Sequence, residues 1–254
     1  MEIIALANQK GGVAKTTSTY NLACVAAEAG KRVLMVDLDP QASLTILCGM
    51  MPGSFERSVC DLFAGGCDPF QCGYEVEKAG LECLYLIPSD ILLAETEQSV
   101  IGKTAREKLL KKQLLKFRED FDYIFIDCPP QLGVLTTNAL CAADRVVIPT
   151  KAEYLSYRGL RSLLRTIETV QEEFNPTLTV CGYLVTMFEK NINDQRDILE
   201  LLEREGTVIA TVKKSADSYR SILEGTPVVL SNPRSEVAAA YRLAAEKLGI
   251  RSEE

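Results

Sequence analysis

The chain has 254 residues, 47% of them apolar, enough to fill a sizeable core and to exclude a disordered scaffold. Its net charge of -7 excludes a surface coated in nucleic-acid-binding charge, and the lack of histidine excludes His-based triads and His-ligated metals. Nine scattered cysteines, an odd number, suit a reducing compartment where Cys serves as a small buried apolar residue.

Ile3 to Ala7 is a short apolar run that predicts a buried strand, and a glycine-rich segment, Lys10-Gly11-Gly12-Val13-Ala14-Lys15-Thr16-Thr17, follows at once. Thr16 to Ala29 then predicts a helix, with Ala, Leu and Val on one face and Gly30 as its stop. A phosphate-loop pattern between strand and helix has a mechanism. Glycines let backbone N–H groups converge on phosphate oxygens, and the helix N-terminus adds a favourable dipole. Lys15 would place its ammonium on the β- and γ-phosphates, and the Thr16 hydroxyl would ligate Mg²⁺.

Val33 to Val36 predicts a second buried strand, ending at Asp37-Leu38-Asp39-Pro40-Gln41. A carboxylate at that sheet edge could hold Mg²⁺, orient water or cap a turn. Residues 49–80, rich in Gly and Pro, read as a surface excursion with one short helix around Val59 to Phe63. Further strands are predicted over Cys83 to Ile87, Tyr123 to Ile126, Arg145 to Ile148 and Val180 to Thr186. Helices are predicted over Thr104 to Phe117, Gln131 to Cys141, Gly159 to Phe174, Asn193 to Arg204 and Glu236 to Leu248. Alternating strands and helices, with strands apolar on both faces, indicate an α/β, mostly parallel sheet with helices on both faces. No repeat or long linker interrupts the pattern, so residues 1–254 are expected to form one domain. Asp127, at the end of the strand from Tyr123, is the expected Mg²⁺-side aspartate of a Walker B element. No apolar run approaches the roughly 20 residues of a membrane-spanning helix, and Met1-Glu2-Ile3-Ile4 has no basic leader, so a cytoplasmic protein is expected.

KGGVAKTT, VDLDPQAS, LIPSDILLAETE, FIDCPP and NALCAADRVVIPTKAEYLSYRGL, in that order, resemble the ParA/Soj branch of the deviant-Walker partitioning ATPases in the ParA/MinD superfamily. The likeness runs from residue 2 to about 186 and is looser beyond. It implies a doubly wound P-loop NTPase fold, with ATP and Mg²⁺ as cofactors and slow basal ATP hydrolysis. Lys10 would be the signature lysine that reaches across an ATP-sandwich homodimer to the partner's phosphates. Gly11, Gly12, Val13, Ala14, Lys15, Thr16 and Thr17 would bind the nucleotide. Asp39 would position the attacking water and, with Thr16 and Asp127, complete the metal site. The family also implies non-specific binding of double-stranded DNA, hence nucleoid association, and a ParB-type centromere-binding partner that stimulates hydrolysis to segregate or position DNA. The alternative is a MinD-like or protein-cargo-positioning ATPase without DNA binding. The tail after Leu248, short and acidic, is not expected to form a membrane-anchoring helix. The cysteines lack the tight C-x₂-C spacing of a cluster site.

Two stretches depart from the family pattern. Ala14 stands where relatives carry glycine; since a helix starts directly after it, ordinary helical φ/ψ is the preferred expectation. Val212-Lys213-Lys214-Ser215-Ala216-Asp217 replaces an I-P-R-N-x-R-like segment, so Lys213 and Lys214 become candidates for DNA contact, with Lys190, Arg196 and Arg220.

Overall fold

The computed structural model describes residues 1–250. Arg251 to Glu254, the acidic end of the tail discussed above, lie outside the described residues. Eight strands form one sheet: β1 (Glu2–Leu6), β2 (Val33–Asp37), β3 (Tyr74–Glu75), β4 (Leu84–Ile87), β5 (Tyr123–Asp127), β6 (Arg145–Lys151), β7 (Thr179–Phe188) and β8 (Val208–Lys213). Their order is β3-β4-β2-β5-β1-β6-β7-β8, parallel throughout except for the short β3 hairpinned against β4. β2 is buried at every position, and β1 and β5 at all but their first, as both-faced coverage requires. The doubly wound α/β fold is thus the one the sequence predicts.

Eleven α-helices are described: α1 (Lys15–Glu28), α2 (Ser43–Leu47), α3 (Val59–Ala64), α4 (Leu92–Val100), α5 (Leu109–Leu114), α6 (Val134–Ala142), α7 (Tyr154–Glu173), α8 (Asn193–Glu205), α9 (Ala216–Glu224), α10 (Val228–Ser231) and α11 (Glu236–Lys247). Leu62, Leu110, Leu135, Leu163 and Leu202 bring α3, α5, α6, α7 and α8 into one core against the sheet. Leu22, Leu44, Val228 and Tyr241 bring α1, α2, α10 and α11 into a second core on the other face.

Several boundaries differ from expectation. The helix predicted over Thr104 to Phe117 is broken: only Leu109–Leu114 is α-helical, between two short 3₁₀ turns. Asn138 of α6 explains the break. Its side chain accepts from the Leu110 N–H at 3.1 Å and donates to the Arg106 carbonyl at 2.7 Å, so a long-range partner takes groups a continuous helix would have paired. α7 begins at Tyr154, before Gly159, which the helix tolerates internally. α4, α9 and β8 were not predicted; the first two expose much of their surface, and β8 is a short edge strand whose buried and exposed residues mix. Among the described residues no helix is long and apolar enough to cross a membrane.

Candidate functional site

Register decides which side chains meet. Leu6 of β1 and Asp37 of β2 both pair with Asp127 of β5, so three parallel strands end level with one another. The loops that leave them therefore emerge together at the carboxyl edge, where parallel sheets bind ligands.

The first loop runs from Ala7 to Ala14. Asn8 anchors its start, donating to the Pro149 carbonyl at 2.7 Å and accepting from the Lys10 N–H at 3.0 Å. Thr186 holds its end through the Val13 carbonyl at 3.1 Å. Gly12 sits at φ 68°, and a Cβ on Gly11 or Gly12 would meet nothing within 4 Å, so the loop's outer face is open. Among the described residues, the backbone N–H groups of Gly11 to Thr17 donate to no acceptor in the chain. That row of free donors at an uncapped helix start is an anion cradle.

Ala14 corrects an expectation. Its φ of 61° and ψ of 33° are left-handed, not helical, so the methyl group is strained where glycine would be at ease. Ala14→Gly is expected to raise the melting midpoint by the equivalent of about 0.5–1 kcal/mol, the strain relieved less the extra unfolded-state freedom of glycine. A lower midpoint in thermal unfolding would show that the loop is relaxed with alanine.

Lys15 is buried, and its ammonium reaches the Lys10 carbonyl at 3.3 Å. Burial pushes its pKa down, while the Asp127 carboxylate opposes that shift. Asp127 is buried too. Desolvation and the neighbouring Asp37 push its carboxyl up, opposed by a hydrogen bond from the Thr16 side chain and by Lys15. Thr19, which the sequence reading missed, donates to Asp127 Oδ1 at 3.5 Å. Among the described residues, Asp127 Oδ2 has no hydrogen-bond partner. An orphaned buried carboxylate oxygen beside the Thr16 hydroxyl fits a hard cation, or the water bound to one.

The two carboxylates at the end of β2 divide their work. Asp37 is fully buried and accepts from the Thr45 N–H and hydroxyl at 2.9 and 2.8 Å and from the Asp39 N–H at 3.1 Å. It fixes the turn. Asp39 is half-buried, its carboxylate accepts, among the described residues, only from the Gln41 N–H at 3.0 Å, and its charge acts on both Lys15 and Asp127.

Lys10 is half-exposed and bonded within its own chain, to Glu153 at 2.7 Å and to Ser156 Oγ at 2.8 Å. Neither partner was singled out from the sequence, although an acidic residue directly after the β6 edge was a usable signal.

Beside the loop lies a cavity of about 640 Å³, walled by Ala14, Thr17, Met187, Val212, Tyr219 and Ile222. The divergent segment at residues 212–217 therefore borders the same site as the phosphate loop. Lys213 and Lys214 also line it, but each is paired: Lys213 with Glu236 at 3.0 Å and Lys214 with Glu189 at 3.1 Å. Arg196 bonds Asn193, whereas Lys190 and Arg220 are exposed. Among the described residues no group of three or more Cys, Asp or Glu is placed to hold a metal by itself, and all nine cysteines are free.

The chain is similar to known proteins over most of its length. The family model described as AAA domain matches residues 1–180. The sporulation initiation inhibitor protein Soj of Bacillus subtilis is 37% identical over 243 residues, covering 94% of this chain and 95% of Soj. The chromosome partitioning protein ParA of Myxococcus xanthus is 33% identical, with 94% of this chain and 84% of that protein covered. Among solved structures, a Mycobacterium smegmatis protein described as cobyrinic acid a,c-diamide synthase, with bound ATP analogue and magnesium, superposes with a TM-score of 0.85. It is 35% identical, with 98% of this chain and 94% of that chain covered.

Proposed function

The chain belongs to the ParA/Soj-type partitioning ATPases of the AAA domain family, and from that premise we propose that it is a Mg²⁺-dependent ATPase of slow basal turnover whose ATP-bound form is a sandwich dimer that positions DNA. The observation that carries this reading is the convergence of the loop's free N–H row, Lys15 and Asp127 at one sheet edge. ATP phosphates lie on the N–H row, with the Lys15 ammonium against them; both are preorganised, so little reorganisation opposes binding. The base takes the neighbouring cavity, whose apolar walls suit a purine face. Thr16 and Asp127 hold Mg²⁺, directly or through water, and the ion when bound neutralises phosphate charge. Asp39, whose carboxylate is held through Oδ1 alone while both Asp37 oxygens are engaged, orients the attacking water. The relative described as a chromosome partitioning protein supports a DNA cargo, and a ParB-type partner is proposed with it. On this reading residues 1–254 act as one domain in the cytoplasm, at the nucleoid when bound to DNA.

Lys10 is the test of the dimer. In this structure its ammonium rests on Glu153 and Ser156, so crossing to a second protomer requires releasing both. Lys10→Ala is expected to leave ATP affinity within a few-fold of wild type, because Lys15 and the N–H row remain. It is expected to abolish ATP-dependent dimerisation in light scattering and, with it, turnover. A Lys10→Ala protein that still dimerises with ATP and hydrolyses normally removes the trans role.

A further inference from the structure

A carboxylate orients water only if its own backbone is held in place, and residues 37–45 show what holds Asp39. Asp37, the last residue of β2, is fully buried, and its carboxylate clasps the segment at both ends. Oδ1 accepts from the Asp39 N–H at 3.1 Å, where the turn leaves the strand. Oδ2 accepts from the Thr45 N–H at 2.9 Å and from the Thr45 hydroxyl at 2.8 Å, where the chain has entered α2. Inside this clasp the turn closes on itself. The Ala42 N–H donates to the Asp39 carbonyl at 2.8 Å and the Gln41 N–H to Asp39 Oδ1 at 3.0 Å. Those two bonds shape the turn without tying it to the sheet. The ties are the Leu38 N–H, which donates to the Asp127 carbonyl at 3.0 Å, and the Asp37 carboxylate, which holds Asp39 itself.

A hydroxyl proton rotates to suit its surroundings, so a second contact has to aim it. That contact comes from the loop after the neighbouring strand. The Ser89 N–H donates to Thr45 Oγ1 at 2.9 Å, which occupies a lone pair and leaves the hydroxyl proton for Asp37. Ser89 follows β4, which pairs with β2 as far as Ile87 opposite Val36. Its neighbours are anchored. The Pro88 carbonyl accepts from the Val59 N–H at 2.9 Å, and Asp90 Oδ1 accepts from the Leu92 N–H at 2.8 Å. Ser89, Thr45 and Asp37 are each fully buried, so solvent does not compete for this chain of bonds, and the low local dielectric strengthens it.

Resting on the reading of Asp39 as the water-orienting group, we infer that Thr45 is a positioning residue for hydrolysis: through Asp37, its hydroxyl holds the Asp39 backbone, and with it the carboxylate, in place at the sheet edge. The chain of bonds runs from the Ser89 N–H through Thr45 Oγ1 and the Asp37 carboxylate to the Asp39 N–H. It carries position, not protons. Among the described residues no hydrogen bond of Thr45 reaches residues 10–17, so its effect falls on turnover and spares the phosphate site. A misplacement of about 1 Å in a reacting group costs about 100-fold in rate, and a clasp that slackens by a fraction of that costs about ten-fold. Without the hydroxyl the segment loosens but stays folded. Leu38 and Leu44 remain buried in the two cores, and the bond from Leu38 to the Asp127 carbonyl is untouched.

The test is a double-mutant cycle on the full-length protein, read as single-turnover phosphate release from Mg·ATP, with nucleotide affinity and stoichiometry measured by calorimetry. Rates are normalised to the chains that bind nucleotide, which separates slow chemistry from a smaller folded fraction. Thr45→Val, nearly isosteric, is expected to lower turnover about ten-fold while nucleotide affinity stays within about three-fold of wild type. Thr45→Ser restores the hydroxyl and should recover turnover to within about three-fold. In the Asp39→Ala background, Thr45→Val should add less than about two-fold, because a residue that acts through Asp39 has nothing left to position. If Thr45→Val does not fold, Thr45→Cys, whose thiol is only a weak donor, carries the same cycle. The inference falls if the substitution slows both backgrounds by the same factor, if affinity drops as far as turnover, or if Thr45→Val turns over like wild type. Failure of the Asp39 reading itself looks different. Asp39→Ala alone then hydrolyses like wild type whatever Thr45→Val does, and that result overturns the reading and this inference together.

Discussion

Lys15→Ala is expected to lower Mg·ATP affinity by about 100-fold or more in calorimetry. The side chain is already buried against the Lys10 carbonyl, and its ammonium is desolvated before any phosphate arrives. Charge-assisted hydrogen bonds contribute about 1.5–3 kcal/mol each, so losing contacts to two phosphates removes about 3 kcal/mol or more. The same loss should appear as a missing thermal shift. Nucleotide at 100 times its Kd stabilises a native protein by about 2.7 kcal/mol, and this variant at that concentration should show almost none. Affinity within a few-fold of wild type would mean that the loop is not the phosphate site. Thr16, Asp127 and the adjoining cavity would then need a different ligand.

Asp39→Ala is expected to behave in the opposite way. Nucleotide affinity should be kept, because the N–H row and Lys15 are untouched, while turnover falls by about 100-fold or more, the usual contribution of a positioned acid–base group. ATP should then hold the dimer, visible as a persistent doubling of mass in light scattering after the wild type has returned to monomer. The choice of Asp39 over Asp37 rests on geometry. Asp37 spends its oxygens on Thr45 and on the Asp39 N–H, and its removal should damage folding instead. An Asp39→Ala enzyme with wild-type turnover would move the water-positioning role elsewhere.

These two residues also show how legible the chemistry was in the sequence. Lys15 and Asp39 follow apolar runs whose length and composition already say buried parallel strand, and spacing alone places them at a sheet edge. The central strands β1, β2 and β5 and the helices α1, α8 and α11 likewise follow from periodicity, because each is dictated by local pattern. The fragmented Thr104 to Phe117 segment was not legible in this way. Asn138, some thirty residues distant, breaks it by supplying hydrogen bonds that no local window contains.

The sequence by itself determined the fold class, the glycine-rich loop between β1 and α1, and the aspartates Asp37, Asp39 and Asp127 at two strand ends, since these depend on short-range pattern and residue chemistry. Only the tertiary structure decided that Ala14 is left-handed, that Lys10 rests on Glu153, and that Asp127 keeps one oxygen unpaired. It also decided that Lys213 and Lys214 are ion-paired, while Arg158, Arg161 and Arg165 are exposed without a side-chain partner among the described residues. The reason is physical: backbone strain, ion pairing and desolvation are set by neighbours that the fold brings from distant parts of the chain. The charge a residue presents depends on those neighbours as much as on its own chemistry.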